Sequence, residues 1–194
     1  MRVSGALKTA AALVATAALG VSAASALVSP PPSSVTRHSP VAVPGSDRAG
    51  EAVPDPSGGI PWTVRRYVST SGGSCVEAGR ISDGRFGQIH PDGTFSELPL
   101  QQGGTCGDLV EEPVLLAINH YPAAGQRPAR TVLFGLARPD VSALEATGPD
   151  GARRPLVASI EGGFVLPLAG TIAPTDLPVR ITLLTGQQLT FDWR

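Results

Sequence analysis

The chain has 194 residues, 42% of them hydrophobic and only 16% charged, with 15 Lys and Arg against 16 Asp and Glu and a formal charge of −1. A near-neutral chain with no basic cluster excludes ordinary nucleic-acid binding, which rests on neutralising phosphates with Lys and Arg. Lys8 is the only lysine and Asn119 the only asparagine, while Ala, Gly, Pro and Val are abundant. We read that bias as the coding preference of a high-G+C bacterium.

The first residues, "MRVSGALKTAAALVATAALGVSAASALVSPPPSS", follow the order positive, apolar, small. Arg2 and Lys8 precede an uncharged run from Thr9 to Val28, which contains the small-x-small triplet Ala24-Ser25-Ala26. That order predicts a secretory signal peptide over residues 1–26. The alternative is an uncleaved membrane anchor, since the run nearly spans a bilayer. Its Ala-rich make-up, poor in Leu, Ile and Phe, favours cleavage. Cleavage after Ala26 would remove Arg2 and Lys8 and no acidic residue, making the chain more acidic. Either way the remainder is expected outside the cytoplasm, in the extracellular space or cell envelope, with membrane contact only if the segment stays uncut.

Residues 27–59 are rich in Pro, Ser and Gly and poor in large apolar side chains. Such a stretch buries too little surface to offset its ordering entropy and is expected to be a disordered, semi-stiff linker. His38 lies within it.

Residues 60–194 form the expected folded domain, of ordinary single-domain length. "WTVRRYV" sets Trp62, Val64, Arg66 and Val68 against Thr63, Arg65 and Tyr67. "CVEAGRIS" and "RFGQIH" flank Asp83-Gly84, a tight-hairpin dipeptide. Pro91-Asp92-Gly93 marks another turn. "PVLLAINHY" is mostly apolar and predicts a buried strand, and Pro113 argues against a helix running through it. "RTVLFGLA" places Val132, Phe134 and Leu136 on one face. "VSALEATGPDGARRPLVASI" predicts a hairpin about Asp150-Gly151, followed by the strand "GFVLPL". Strands flank a final turn at Gly186, with Val179, Ile181 and Leu183 before it and Leu189, Phe191 and Trp193 after it. Short strands at regular spacing predict an all-β domain: an antiparallel, immunoglobulin-like sandwich or, alternatively, a small open barrel. Trp62 and Trp193 are expected in its core.

The stretch "VLFGLARPDVSALEATGPDGARRPLVASIEGGFVLPL" resembles a pattern in exported actinobacterial proteins of uncharacterised function. There a strand ending in Gly leads to Pro-Asp-Val, a strand, an Asp-Gly turn and two further strands. The resemblance covers about the last third of the chain. It implies a β-sandwich module and no activity.

Cys75, in "SGGSC", and Cys106, in "QGGTC", are the only cysteines. In an exported chain two cysteines are expected to pair. Closing a loop of 31 residues would stabilise the fold by roughly 3.5–4 kcal/mol on the chain-entropy account. A redox pair would want Cys-x-x-Cys, and zinc would want more Cys and His at short spacing. His90 and His120 end apolar or strand-like stretches and have no spacing that ties them to a thiol. Asp108, Glu111 and Glu112 gather in "CGDLVEE" without the alternating ligands of a calcium loop. No Gly-x-Ser-x-Gly elbow, phosphate loop or dinucleotide fingerprint is present, although a Ser-His-Asp set assembled in space is recognisable only by geometry. The expectation is therefore no catalytic residue, no cofactor and no metal. The domain would act through protein–protein contact with an envelope partner. The alternatives are an extracytoplasmic sensor domain of an anchored protein and, last, a secreted hydrolase.

Overall fold

A computed structural model describes residues 41–100, 104–191 and 193. The expected signal peptide, residues 27–40 of the linker and His38 lie outside the described residues. Among the described residues no helix is long and apolar enough to cross a membrane.

The fold is all-β and antiparallel, as expected. Among the described residues thirteen strands follow in order: β1 Arg48–Ala49, β2 Trp62–Val68, β3 Ser74–Ser82, β4 Arg85–Ile89, β5 Phe95–Glu97, β6 Thr105–Gly107, β7 Val114–Tyr121, β8 Arg130–Ala137, β9 Val141–Thr147, β10 Arg153–Pro155, β11 Gly163–Ala169, β12 Val179–Leu183 and β13 Gln188–Phe191. They make three sheets, ordered β1-β2-β3-β4-β5, β11-β8-β7 and β10-β9-β12-β13. The short strand β6 pairs with Ser74–Val76 of β3, while β4 takes Arg80–Ser82.

The sheet β11-β8-β7 is the middle layer, and its residues show why. In "RTVLFGLA" every position of β8 is buried. A strand apolar on both faces needs cover on both faces. Val132, Phe134 and Leu136 pack with Trp62, Val64, Val76 and Ala78 of β2 and β3. Leu133 and Ala137 point the other way and pack with Leu144, Ala146, Val179 and Ile181 of β9 and β12. The expected apolar face of β8 is therefore one of two. Gly135 sits at the centre because nothing larger fits: a Cβ there would stand 2.0 Å from the Leu115 carbonyl oxygen and 2.7 Å from the Phe164 ring.

The first core has barrel character as well, because β11 lies beside β2 and β6 beside β7. Strands β2, β3 and β6 thus enclose one core together with β11, β8 and β7. The second core is a plain sandwich of the middle sheet against β9 and β12. Trp62 is buried in the first core, and Trp193 packs half-buried against the second with its indole donating to the Leu177 carbonyl oxygen at 2.7 Å. The turn chemistry falls where expected. Asp83 and Gly84 both take positive φ, 50° and 74°, in the two-residue hairpin joining β3 and β4.

Part of the expected linker is not a linker. From Ala42 to Val53 the chain runs antiparallel along the whole of β2, bridging Ser69 at one end and Trp62 at the other. Backbone bonds carry most of it: Val43 N–H to Val68 at 2.8 Å, Gly50 N–H to Val64 at 2.7 Å, and a reciprocal pair between Val53 and Trp62 at 2.7 and 2.8 Å, with Ser46 Oγ accepting the Val68 N–H at 3.1 Å and Thr63 Oγ1 donating to the Gly50 carbonyl oxygen at 2.8 Å. Among the described residues the paired structure accordingly reaches back to Ala42, ahead of the expected boundary at 60. Such pairing needs few apolar side chains, so the composition of the stretch concealed it.

Cys75 and Cys106 stand directly opposite each other on β3 and β6 and form a disulfide. It packs with Ala42 and Tyr67 in a small cluster of its own. A disulfide is compatible with an extracellular protein. Replacing both cysteines by alanine is expected to lower the unfolding free energy by about 3–4 kcal/mol, read from urea melts of the two proteins. A change below about 1 kcal/mol would show that the loop is held without the bond.

Candidate functional site

Two strand registers build the site. In the first sheet Trp62 at the start of β2 is paired with Arg80 near the end of β3. In the middle sheet Tyr121 at the end of β7 is paired with Arg130 at the start of β8. Both pairs lie at the same end of the first core. The Trp62 and Tyr121 rings meet across the two sheets with centroids 4.9 Å apart, and the Arg80 guanidinium lies 3.6 Å from the Trp62 ring centroid. Stacking of this kind favours Arg over Lys, because the planar guanidinium lies flat on the ring while its edge still donates.

Asp55 closes the end of this core from the N-terminal segment. Its Oδ1 accepts from Arg130 Nε at 3.1 Å, Arg130 Nη2 at 2.8 Å and the Ser57 N–H at 2.8 Å. Its Oδ2 accepts from the Trp62 indole at 2.8 Å and Arg80 Nη2 at 2.7 Å. Burial alone would raise its pKa, but Arg130, the Ser57 N–H, the indole and Arg80 outweigh it and hold the carboxyl well below the usual carboxylate range. Arg80 remains a cation although burial, opposed by Asp55, lowers its pKa. Burial raises the Tyr121 phenol, so that it is a neutral hydroxyl at physiological pH.

Beside this cluster opens a cavity of about 230 Å³, somewhat smaller than the usual ligand pocket of about 300 Å³ or more. Trp62, Tyr121, Leu98 and Ile89 give it apolar walls, and Arg80 and Arg127 give it charge. An adjoining cavity of about 190 Å³ shares Arg80, Arg127 and Arg130 and is bounded by the Asp55–Ile60 turn. Three arginines thus face one carboxylate. Arg127 lies on the loop between β7 and β8, and its Nη2 donates to the carbonyl oxygen of His90.

The residues singled out from sequence lie elsewhere. Cys75 sits five residues from Arg80 along β3, roughly 17 Å away at strand rise. His120 meets Thr131 Oγ1 at 3.3 Å on the β7–β8 pair. Asp108 accepts the Val110 N–H at 2.7 Å in a turn. It does not converge with Glu111 and Glu112 into a ligand set, and no three His, Cys, Asp or Glu side chains gather in one place among the described residues.

His90 makes a shorter contact with a hydroxyl than His120 does: its Nε2 lies 2.6 Å from Ser96 Oγ across the β4–β5 hairpin. Asp92, the nearest acid in sequence, is held instead by the Thr94 N–H at 2.9 Å and Thr94 Oγ1 at 2.7 Å. The pair pins the hairpin that walls the pocket, and neither residue lines the cavity. Sequence reading missed Asp55, Arg80, Tyr121, Arg127 and Arg130. Only the strand-end positions of Arg80 and Arg130 carried any signal of a shared site.

A second buried ion pair serves the opposite face of the first sheet. Arg65 Nε donates to Glu77 Oε1 at 2.7 Å, and its other nitrogens reach the Leu98 and Pro99 carbonyl oxygens. Here burial wins over Arg65, and the Glu77 pKa is raised rather than lowered. One guanidinium does for Glu77 less than two, an indole and a backbone N–H do for Asp55.

Comparison with protein-family models, curated proteins and solved structures returned no match to the chain.

Because the Asp55 pKa is depressed in the folded state, its contribution to stability is present above the ordinary carboxylate range and is lost as pH falls through and below it. Asp55→Asn is expected to destabilise the fold by about 3–5 kcal/mol at neutral pH, since it leaves two buried arginines without their counter-charge. Urea melts from pH 7 to pH 2 should show the gap between the two proteins narrowing at the acid end. A constant gap would mean that the cluster is held by shape and not by charge.

Proposed function

We propose that the chain is an exported, non-catalytic binding domain. On this reading residues 1–26 direct export and are removed, the Pro/Ser-rich segment is a tether, and the β domain engages a ligand or envelope partner through the pocket beside Trp62 and Tyr121. The observation that carries the reading is the composition of that pocket. It is concave, largely apolar and basic, and its one carboxylate among the described residues, Asp55, is already neutralised by two arginines. A general acid or base needs a pKa near the working pH and a proton to exchange, and Asp55 has neither. The disulfide supports an extracytoplasmic place. The short hydrogen bond between His90 and Ser96 favours the second reading, a secreted hydrolase.

Two measurements separate the readings. The intact mass of the exported protein should match a chain starting near Leu27 and should gain two alkyl groups only after reduction. A full-length mass would favour the anchored sensor domain. Incubated with p-nitrophenyl acetate, the protein should release p-nitrophenol no faster than its heat-denatured form. Release that disappears in Ser96→Ala would replace the binding reading with the hydrolase.

A further inference from the structure

We propose that the pocket takes a carboxylate carried on an apolar or aromatic group, with Arg127 receiving the anion. The inference rests on the pocket being a binding site and names its ligand class. It follows from which donors the fold has already committed. Arg130 gives Nε and Nη2 to Asp55 and Nη1 to the Pro128 and Ala129 carbonyl oxygens. Arg80 gives Nη2 to Asp55 and Nη1 to the Ile60 carbonyl oxygen, with its plane stacked on Trp62. Arg127 gives only Nη2, to a backbone oxygen, and its Nε and Nη1 have no protein acceptor among the described residues. It also lines both cavities. Three guanidinium charges against one carboxylate leave the site short of negative charge. Arg80 keeps only Nε without a protein acceptor among the described residues, and its charge is paired with Asp55; the charge without a carboxylate partner and the larger share of free donors coincide at Arg127.

The rest of the cavity decides what carries the anion. Trp62, Tyr121, Leu98 and Ile89 offer no acceptor row and no array of backbone N–H groups for a sugar or a polyphosphate. They offer ring faces and aliphatic edges. The bond to His90 takes one of the two Nη2 hydrogens, and the other still completes an edge with Nε or Nη1; two donors on one edge of a guanidinium match the two oxygens of a carboxylate, whereas a phosphate site gathers donors from several groups. A small acid and a peptide C-terminus ending in an aromatic residue share this chemistry.

The test is calorimetric titration of the natively exported, disulfide-bonded protein. The probes are 3-phenylpropionate and its amide, acetyl-Ala-Ala-Phe as free acid and as amide, and phenyl phosphate. At least one acid should bind saturably and at least about tenfold more tightly than its amide. Arg127→Gln should weaken it by about tenfold to a hundredfold, the loss of a charged hydrogen bond. Ala124→Trp, which fills the cavity from the loop, should abolish binding with the disulfide and melting temperature retained. Tighter binding of the tripeptide acid would point to a protein C-terminus, and tighter binding of 3-phenylpropionate to a free acid. The proposal is overturned if neither acid binds saturably, if the amides bind as well, if folded Arg127→Gln binds as the parent does, or if phenyl phosphate binds more tightly. Should Arg127→Gln not fold, the acid–amide comparison and Ala124→Trp still decide. A failed titration with no ester turnover would leave the non-catalytic reading standing and remove only this ligand class.

Discussion

One carboxylate joins parts of the chain that are otherwise far apart in sequence. Asp55 belongs to the N-terminal segment, Trp62 to β2, Arg80 to β3 and Arg130 to β8, and all three donate to it. A buried guanidinium cannot shed its proton, so Arg80 and Arg130 could not be packed at the end of a core without a fixed counter-charge. The carboxylate supplies that charge only if the segment before β2 folds back along it. The backbone pairing of residues 42–53 with β2 and the ion cluster at its end are therefore one device. The pairing brings Asp55 to the arginines, and the arginines give the pairing an end point.

The middle sheet imposes the second constraint. Because β8 is buried on both faces, its neighbours must cover it from two sides, and the chain divides accordingly. Residues up to β6 supply the cover on one side, and the sheet of β9, β10, β12 and β13 supplies it on the other. The open end of the first core is where the cover is incomplete. There the strands begin and end on Trp62, Arg80, Tyr121 and Arg130, and loops rather than strands form the outer wall. The pocket is thus a consequence of layering: the sandwich half is closed by sheet packing, while the barrel-like half ends in a mouth rimmed by polar strand termini.

The legible part of this architecture was the part governed by local chemistry. Asp83-Gly84, Asp150-Gly151 and Gly186 named their turns because positive φ excludes most residues, and alternation named the strands they join. The paired cysteines were legible from number and compartment. Two things were not. The segment from 41 to 59 reads as a linker because strand addition through backbone hydrogen bonds leaves no side-chain signature. The site was hidden for a related reason: its members are 75 residues apart at the extreme, from Asp55 to Arg130, and ordinary one at a time. Only the registers that oppose Trp62 to Arg80 and Tyr121 to Arg130 bring them together. A mixed apolar run such as β8 also conceals its second face, since alternation is lost when both faces are buried.

The two buried ion pairs show how the same chemistry closes the charge in one place and leaves it unmatched in another. Arg65 and Glu77 form a closed account of charge on one sheet face, with the spare donors of Arg65 turned to the Leu98 and Pro99 carbonyl oxygens. Nothing remains there for a ligand. At the opposite face Asp55 is shared between two arginines, so its neutralisation is complete while theirs is not. Arg127 then adds a further charge from the β7–β8 loop, its side chain tied to the backbone of His90. Excess positive charge survives at a protein surface because water solvates it, and within a partly apolar cavity that solvation is poorer. A site of this kind gains from an anion that brings its own apolar cover, which displaces water from the rings while supplying the charge that the fold left unmatched. Binding would then cost the protein little reorganisation, since Asp55 already holds two of the three arginines in place.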